Sequence, residues 1–180
     1  LFRSPVATFA QKQVILGHMF DVLVYVYENF WSGQACPELD QLGRKLSAAG
    51  FDTEEIEQAL NWLAGLNLVS HQSQPIDISP NPAESVSHPP SDHSLRVYSV
   101  AEQDHLGAQC LGFISFLESA GVLPAPMREI VIDRAMAVPG QPMVLDDLKI
   151  IVLMVYWSMG VEPDALVLDE LSDDPARVPH

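Results

Sequence analysis

The segment from Leu46 to Leu63 constrains the fold most, because it contains the end of one helix, a turn and the start of another. Gly50 follows an apolar helical stripe, and glycine readily takes the left-handed conformation in which helices end. Asp52 stands three residues before Glu55, which is the spacing of a capping box at a helix start. The pattern predicts two α-helices joined by a tight turn.

Apolar stripes at helical spacing, separated by such breakers, extend over most of the chain. Residues 19–72 predict three short helices. Residues 95–171 predict a second helical module, which begins at a capping box from Ser99 to Glu102. The predicted fold class is therefore mainly α, with two helix-turn-helix-like modules.

Two short β-prone pieces, Leu68-Val69 and Leu95 to Tyr98, flank residues 73–94, which are rich in proline and serine. The apolar content of this segment is too low to compensate for the entropy lost on ordering. We predict that it is either a disordered linker or a long hairpin loop. If the two pieces pair as strands, they form a β-hairpin wing behind the third helix, and residues 73–94 are the tip of the wing.

The two ends of the chain are set apart from the predicted modules. Residues 1–18 contain Arg3 and Lys12 and no acidic residue. They lack the compact apolar run of a secretory signal. We expect them to be a non-native or disordered extension ahead of a natural start at Met19. Residues 172–180 are expected to be a disordered tail.

The charge of the chain limits its partners. Its 180 residues include 24 acidic and 9 basic side chains, which gives a net charge of −15. Nucleic acids and anionic membranes bind basic patches, so direct nucleic-acid binding is not expected. The third helix, which would be the recognition helix, has no Lys or Arg and carries the acidic residues Asp52, Glu54, Glu55 and Glu57. Another protein is the expected partner.

Patterns that carry chemistry are missing from the sequence. Cys36 and Cys110 do not stand at a zinc-ligand spacing, and no histidine pair has the spacing of a helical metal site. Neither a nucleophile elbow nor a phosphate-binding loop occurs. We therefore predict no catalytic, cofactor-binding or metal-binding residue, and a protein that is not an enzyme. Cys110 is expected to be a buried structural thiol.

Three residues are candidates for partner binding. Trp62 is expected at the margin of the inner face of its helix, where an exposed Trp beside acidic residues suits a protein partner. Core packing is the alternative for this side chain. Arg128 and Arg134 belong to a charged helical segment, for which a solvated ion-pair helix and a partner-binding face both explain the pattern.

The chain resembles the Smg family of bacterial proteins in several segments that match in order. These are Met19 to Glu28, Ala49 to Asp52, Ala59 to Leu63, Arg96 to Tyr98, Arg128 to Arg134 and Asp147 to Val155. The resemblance implies a cytoplasmic protein and supplies no catalytic residue. It also implies a link to DNA processing, because such proteins tend to be encoded near DNA-processing and topoisomerase genes.

Two functions follow from these observations. The leading hypothesis is a non-enzymatic, acidic helical adaptor that binds a protein partner. The alternative is a DNA-processing-associated factor that uses the first module as a winged helix. No apolar run is long enough to span a membrane, so neither hypothesis includes a membrane.

Overall fold

The computed structural model describes residues 19–30, 38–72, 96–140, 142–161 and 163. The predicted extension, linker and tail, residues 1–18, 73–94 and 172–180, lie outside these ranges. The described residues contain helices and no strand, which confirms the mainly α fold class. The helices are α1 over 19–30, α2 Leu39–Ala49, α3 Thr53–Gln72, α4 Val100–Ser119, α5 Ala125–Met136 and α6 Leu145–Ser158.

The turn between α2 and α3 forms as the sequence predicts. Gly50 has a φ of 100°, and the amides of Gly50 and Phe51 donate to carbonyls in the last turn of α2. At the start of α3, the amide of Asp52 donates to Oε2 of Glu55 at 3.2 Å. Both helix ends are therefore determined by local hydrogen bonds.

The predicted wing is wrong, because Leu68 and Val69 lie inside α3. The buried stripe of this helix continues past Leu63 to Leu66 and Ser70, at helical spacing. The hydroxyls of Ser70 and Ser158 of α6 share a hydrogen bond of 2.9 Å. Packing along the whole helix outweighs the β propensity of two residues.

Helix α3 connects the N-terminal helices with the C-terminal ones. It packs against α2, α5 and α6, while α4, α5 and α6 pack against one another. One hydrophobic cluster includes buried residues from α1 to α6. Every residue from Ile151 to Trp157 of α6 is buried, so this helix lies in the interior. The division into two modules stays a prediction.

Helix α4 is broken at Gly107, which has a φ of 69° and a ψ of 170°. Only glycine populates this region of backbone conformation readily. The amide of Met143 donates to the carbonyl of His105 at 2.8 Å, and the thiol of Cys110 donates to the carbonyl of Met143 at 3.5 Å. The chain before α6 therefore docks at the break.

We predict that Gly107→Ala lowers the free energy of unfolding by about 1–3 kcal/mol, because alanine is strained at this φ and ψ. An added Cβ would meet nothing closer than Cβ of Pro142 at 3.9 Å, so the cost is conformational rather than steric. Gly112→Ala is the matched control in α4, where a Cβ would meet nothing within 4 Å. The control should gain up to about 1 kcal/mol. Urea unfolding measures the free energy of unfolding of both variants. A similar change at the two positions would contradict the helix break at Gly107.

Candidate functional site

Two arginines and three glutamates form an ion-pair cluster, here called the arginine cluster, which comprises Arg96, Glu102, Glu118, Arg128 and Glu129. The guanidinium of Arg96 donates to both oxygens of Glu102 at 2.8 and 2.9 Å. It also donates to both oxygens of Glu129 at 3.0 and 3.1 Å. Charge-assisted bonds of this forked kind are among the strongest hydrogen bonds in proteins. Arg96 therefore joins the start of α4 to α5.

The capping box at the start of α4 places Glu102 for this role. The amide of Ser99 donates to Oε2 of Glu102 at 2.7 Å, and the amide of Glu102 donates to the hydroxyl of Ser99 at 3.3 Å. The same Oε2 accepts a bond from Nη1 of Arg96 at 2.9 Å. One carboxylate thus caps the helix and anchors the chain that precedes it, so the predicted capping box is confirmed.

Arg128 makes the second connection between α4 and α5. It is buried, and its guanidinium forms ion pairs with Glu118 near the end of α4 and with Glu129. A buried cation destabilises a fold unless carboxylates surround it, and here two do. Both ends of α4 are therefore held against α5 by arginines.

The Tyr98 ring completes the surroundings of Arg96. Residues 96–99 belong to no helix or strand, although the segment from Leu95 to Tyr98 was predicted as β-prone. The Arg96 guanidinium lies over the Tyr98 ring, 4.6 Å from its centroid, at a distance typical of a cation–π contact. Burial raises the pKa of the Tyr98 phenol. The guanidinium thus contacts two carboxylates and one aromatic face.

Arg96, Glu102 and Glu129 are ionised at neutral pH. The hydrogen bonds from Arg96 lower the pKa of Glu102 to about 2. Burial opposes ionisation of Glu129, but the bonds from Arg96 and Arg128 outweigh it and lower its pKa. The bonds to Glu102 and Glu129 in turn raise the pKa of Arg96. Each charge therefore stabilises the charged form of its neighbours.

Two carboxylates of the cluster, those of Glu118 and Glu129, face solvent more than the arginines do. The Arg128 side chain is 10% exposed, whereas that of Glu129 is 48% exposed. One turn further along α5, the Asp133 side chain is 51% exposed and pairs with the less exposed Arg134 at 2.6 Å. Glu129 and Asp133 are four residues apart, so they share a helix face. We call these two residues the carboxylate row.

Two apolar side chains project from the chain that the cluster holds. Val97 is 83% exposed and Val100 is 73% exposed. The carbonyl of Val97 accepts a bond from Nη1 of Arg96 at 3.2 Å. We call these two residues the valine surface. It therefore lies beside the arginine cluster.

The structure corrects the expected position of Trp62, which is only 6% exposed. Its indole Nε1 donates to the carbonyl of Arg134 at 3.1 Å, because α5 packs over this side of α3. The Arg134 guanidinium lies against Gly65, where a Cβ would collide with it. Trp62 and Arg134 are thus neighbours at the contact of α3 with α5, whereas Arg128 belongs to the arginine cluster. A partner-binding role for the three residues stays a prediction.

The sequence analysis did not identify Arg96, Glu102 and Val97 as site residues. Glu102 was visible only as half of a capping box, and Arg96 only in a segment that supported the family resemblance. No helical or β spacing connects Arg96 with Glu129, since they meet through tertiary packing. The position of an arginine just before a capping box was the one available signal.

The pKa values of Asp147 and Cys110 are also raised. Burial, with the nearby charges of Asp146 and Asp21, raises the pKa of Asp147 to about 6. Burial and the charge of Asp147 raise the pKa of the Cys110 thiol to about 11, so the thiol is protonated at neutral pH. Cys110 is fully buried, as expected of a structural thiol.

Neither a metal centre nor a membrane-spanning helix is found in the described ranges. Within those ranges, no group of three or more His, Cys, Asp or Glu side chains could hold a metal ion. In the same part of the chain, no helix combines the length and apolar character needed to cross a membrane.

Comparison with known proteins places the chain in a family. A family model described as protein of unknown function (DUF494) matches residues 19–180. The protein Smg homolog of Methylibium petroleiphilum is 61% identical over 163 residues, which cover 90% of this chain and 100% of the relative. The chain belongs to the Smg family.

Other relatives agree with this assignment. The protein Smg homolog of Leptothrix cholodnii is 60% identical over 156 residues, which cover 87% of this chain and 95% of the relative. That of Bordetella pertussis is 50% identical over the same shares of both chains. No solved structure matches the chain significantly. The resemblance to the Smg family is thus confirmed, and the names of these relatives state no enzymatic activity.

We predict that Glu102→Gln weakens the acid dependence of stability. In the folded protein the pKa of Glu102 is about 2, below its ordinary value of 4.5, so the unfolded chain takes up the proton first as the pH falls. The stability that this carboxylate contributes is present above a pH of about 4.5 and is lost progressively towards a pH of about 2. The variant lacks this contribution at neutral pH and should lose less stability in acid.

Urea midpoints measured across this pH range test the prediction. Glu54→Gln, at an exposed acidic position in the first turn of α3, is the control for the loss of one negative charge outside the arginine cluster. Parallel profiles for wild type and Glu102→Gln would show that the arginine cluster does not hold this carboxylate.

Proposed function

We propose that this member of the Smg family is a non-enzymatic, acidic helical adaptor that binds another protein through the valine surface. The observation that carries the proposal is the exposure of Val97 and Val100 on a chain segment fixed by the arginine cluster. The proposal includes a cytoplasmic location, as the resemblance to the Smg family implies.

Exposed valines are common on protein surfaces. Val97 and Val100 differ because hydrogen bonds fix the backbone segment that carries them. Burying one valine side chain contributes roughly 1.5–3 kcal/mol, so two can anchor a partner. Ordering a flexible loop on binding would reduce that gain. Here Arg96 fixes the segment from one side and the Ser99–Glu102 capping box fixes it from the other. The valine surface is therefore preorganised for a partner.

The described geometry offers no support for the winged-helix alternative. The first turn of α3 carries Glu54 and Glu55, which would repel phosphates. The wing would need Leu68 and Val69 as a strand, and both are helical. A role in DNA processing would therefore pass through the protein partner of the adaptor.

Site-specific photo-crosslinking in native cells tests the proposal. A photoreactive amino acid at Val97 should crosslink a protein partner, because this side chain would lie in the interface. The same amino acid at Ala64, an exposed position in α3, is the control and should not crosslink that partner. Excess wild-type protein should compete with the crosslink.

A second variant links the crosslink to the apolar side chains. Val97→Ser/Val100→Ser protein should fail to compete while keeping the wild-type thermal midpoint, since both positions are exposed. The adaptor proposal would be wrong if Val97 and Ala64 captured the same proteins, or if Val97 captured none.

A further inference from the structure

We infer that the partner presents a cationic, amphipathic segment, with apolar side chains on the valine surface and Lys or Arg side chains against the carboxylate row. This inference rests on the proposed function and specifies the chemistry of the partner. Three observations support it: the continuity of the two surfaces, the outward direction of the carboxylates and the charge of the whole chain.

The valine surface and the carboxylate row are connected through one guanidinium. Nη1 of Arg96 donates to the carbonyl of Val97 at 3.2 Å, and Nη2 donates to Oε2 of Glu129 at 3.0 Å. Asp133 lies one helical turn beyond Glu129 on α5. The backbone of Val97 and the carboxylate of Glu129 thus bind the same guanidinium, and this proximity is the basis for a single partner segment.

The charge that this region offers to a partner is negative. The arginine cluster contains two cations and three carboxylates. Arg128 is less exposed than Glu118 and Glu129, and Arg96 is less exposed than Glu129 but about as buried as Glu102. Arg134 is likewise less exposed than Asp133, with which it pairs. The carboxylates of Glu129 and Asp133 therefore remain accessible for further ion pairs. Oε1 of Glu129 already accepts bonds from Arg96 and Arg128, so a further Lys or Arg would approach its Oε2 or the Asp133 carboxylate.

The charge of the protein also favours a cationic protein segment over nucleic acid or a second copy of this chain as the occupant. The net charge of −15 attracts basic partners and repels nucleic acid. A second copy that approached by two-fold symmetry would bring its own Glu129 and Asp133 towards the same carboxylates, and like charges in an interface are unfavourable. A basic protein segment with apolar residues fits both features of the surface.

Fluorescence anisotropy with labelled synthetic peptides provides the test. The probe is a peptide of roughly four helical turns with Leu on one face and Lys on the other. An otherwise identical peptide with Glu in place of Lys tests charge, and oligolysine without Leu tests the apolar contribution. Only the first should bind well, and its affinity should fall as salt is raised, because exposed ion pairs are screened.

Two double variants with the same change in net charge distinguish the effect of the carboxylate row from the effect of the protein's overall charge. Glu129→Gln/Asp133→Asn should weaken the binding of the probe by roughly tenfold, since it removes the carboxylate row. Glu54→Gln/Glu57→Gln, on exposed positions of α3, is the matched control and should change the affinity less than about twofold. Equal losses of probe affinity in the two double variants would overturn the inference, because the probe would then report only the charge of the whole protein.

Two further variants cover the remaining explanations. Asp133→Asn alone leaves the contacts of Arg96 and Arg128 intact, so it keeps the test valid if the double variant unfolds. It should weaken probe binding by several fold, and an unchanged affinity would count against the carboxylate row. Val97→Ser/Val100→Ser should also weaken binding, because the apolar anchors are lost.

The other occupants are outcomes of the same experiments. Duplex DNA that competes with the probe would overturn the inference in favour of nucleic acid. A dimer in sedimentation that Val97→Ser/Val100→Ser abolishes would identify a second copy as the occupant. If Val97 crosslinks a partner whose affinity changes neither with salt nor with Glu129→Gln/Asp133→Asn, the adaptor proposal stands and this inference fails. If Val97 crosslinks nothing, the adaptor proposal itself fails.

Discussion

The guanidinium of Arg96 is the interaction on which the candidate site depends. It donates to four carboxylate oxygens, two on Glu102 and two on Glu129, and so links the chain before α4 to a helix that is distant in sequence. Without it, the segment that carries Val97 would lose its connection to α5 and would be held from the side of α4, by the capping box and by the bond from Gln103 to the carbonyl of Tyr98. With it, the same valine lies on a fixed surface beside exposed carboxylates, and the proposed adaptor function is built on that difference.

The local parts of the fold could be predicted from the sequence. Gly50 and the Ser99–Glu102 capping box determine helix ends through bonds between residues close in the chain, so their spacing alone was sufficient. The mainly α class followed from the same kind of pattern. Gly107 shows the limit of this reasoning, because no residue spacing distinguishes a glycine that breaks a helix from one that continues it.

Features that depend on tertiary contacts could not be predicted. Leu68 and Val69 have β propensity, but the packing of α3 against α5 and α6 makes them helical. Trp62 was expected at a margin, and α5 covers it. The meeting of Arg96 with Glu129 needs the two helices to be in place first. The candidate site consists mainly of such contacts, which explains why the sequence indicated an acidic adaptor without locating its surface.

The backbone order of residues 97 and 98 tests the account most directly. In the wild-type protein, NMR relaxation should give Val97 and Tyr98 order parameters near those of the helices, about 0.85. In Arg96→Gln they should fall below about 0.6, while those of α5 and α6 stay unchanged. Low values already present in the wild type, or values that the substitution leaves unaltered, would contradict the claim that Arg96 holds this surface in place.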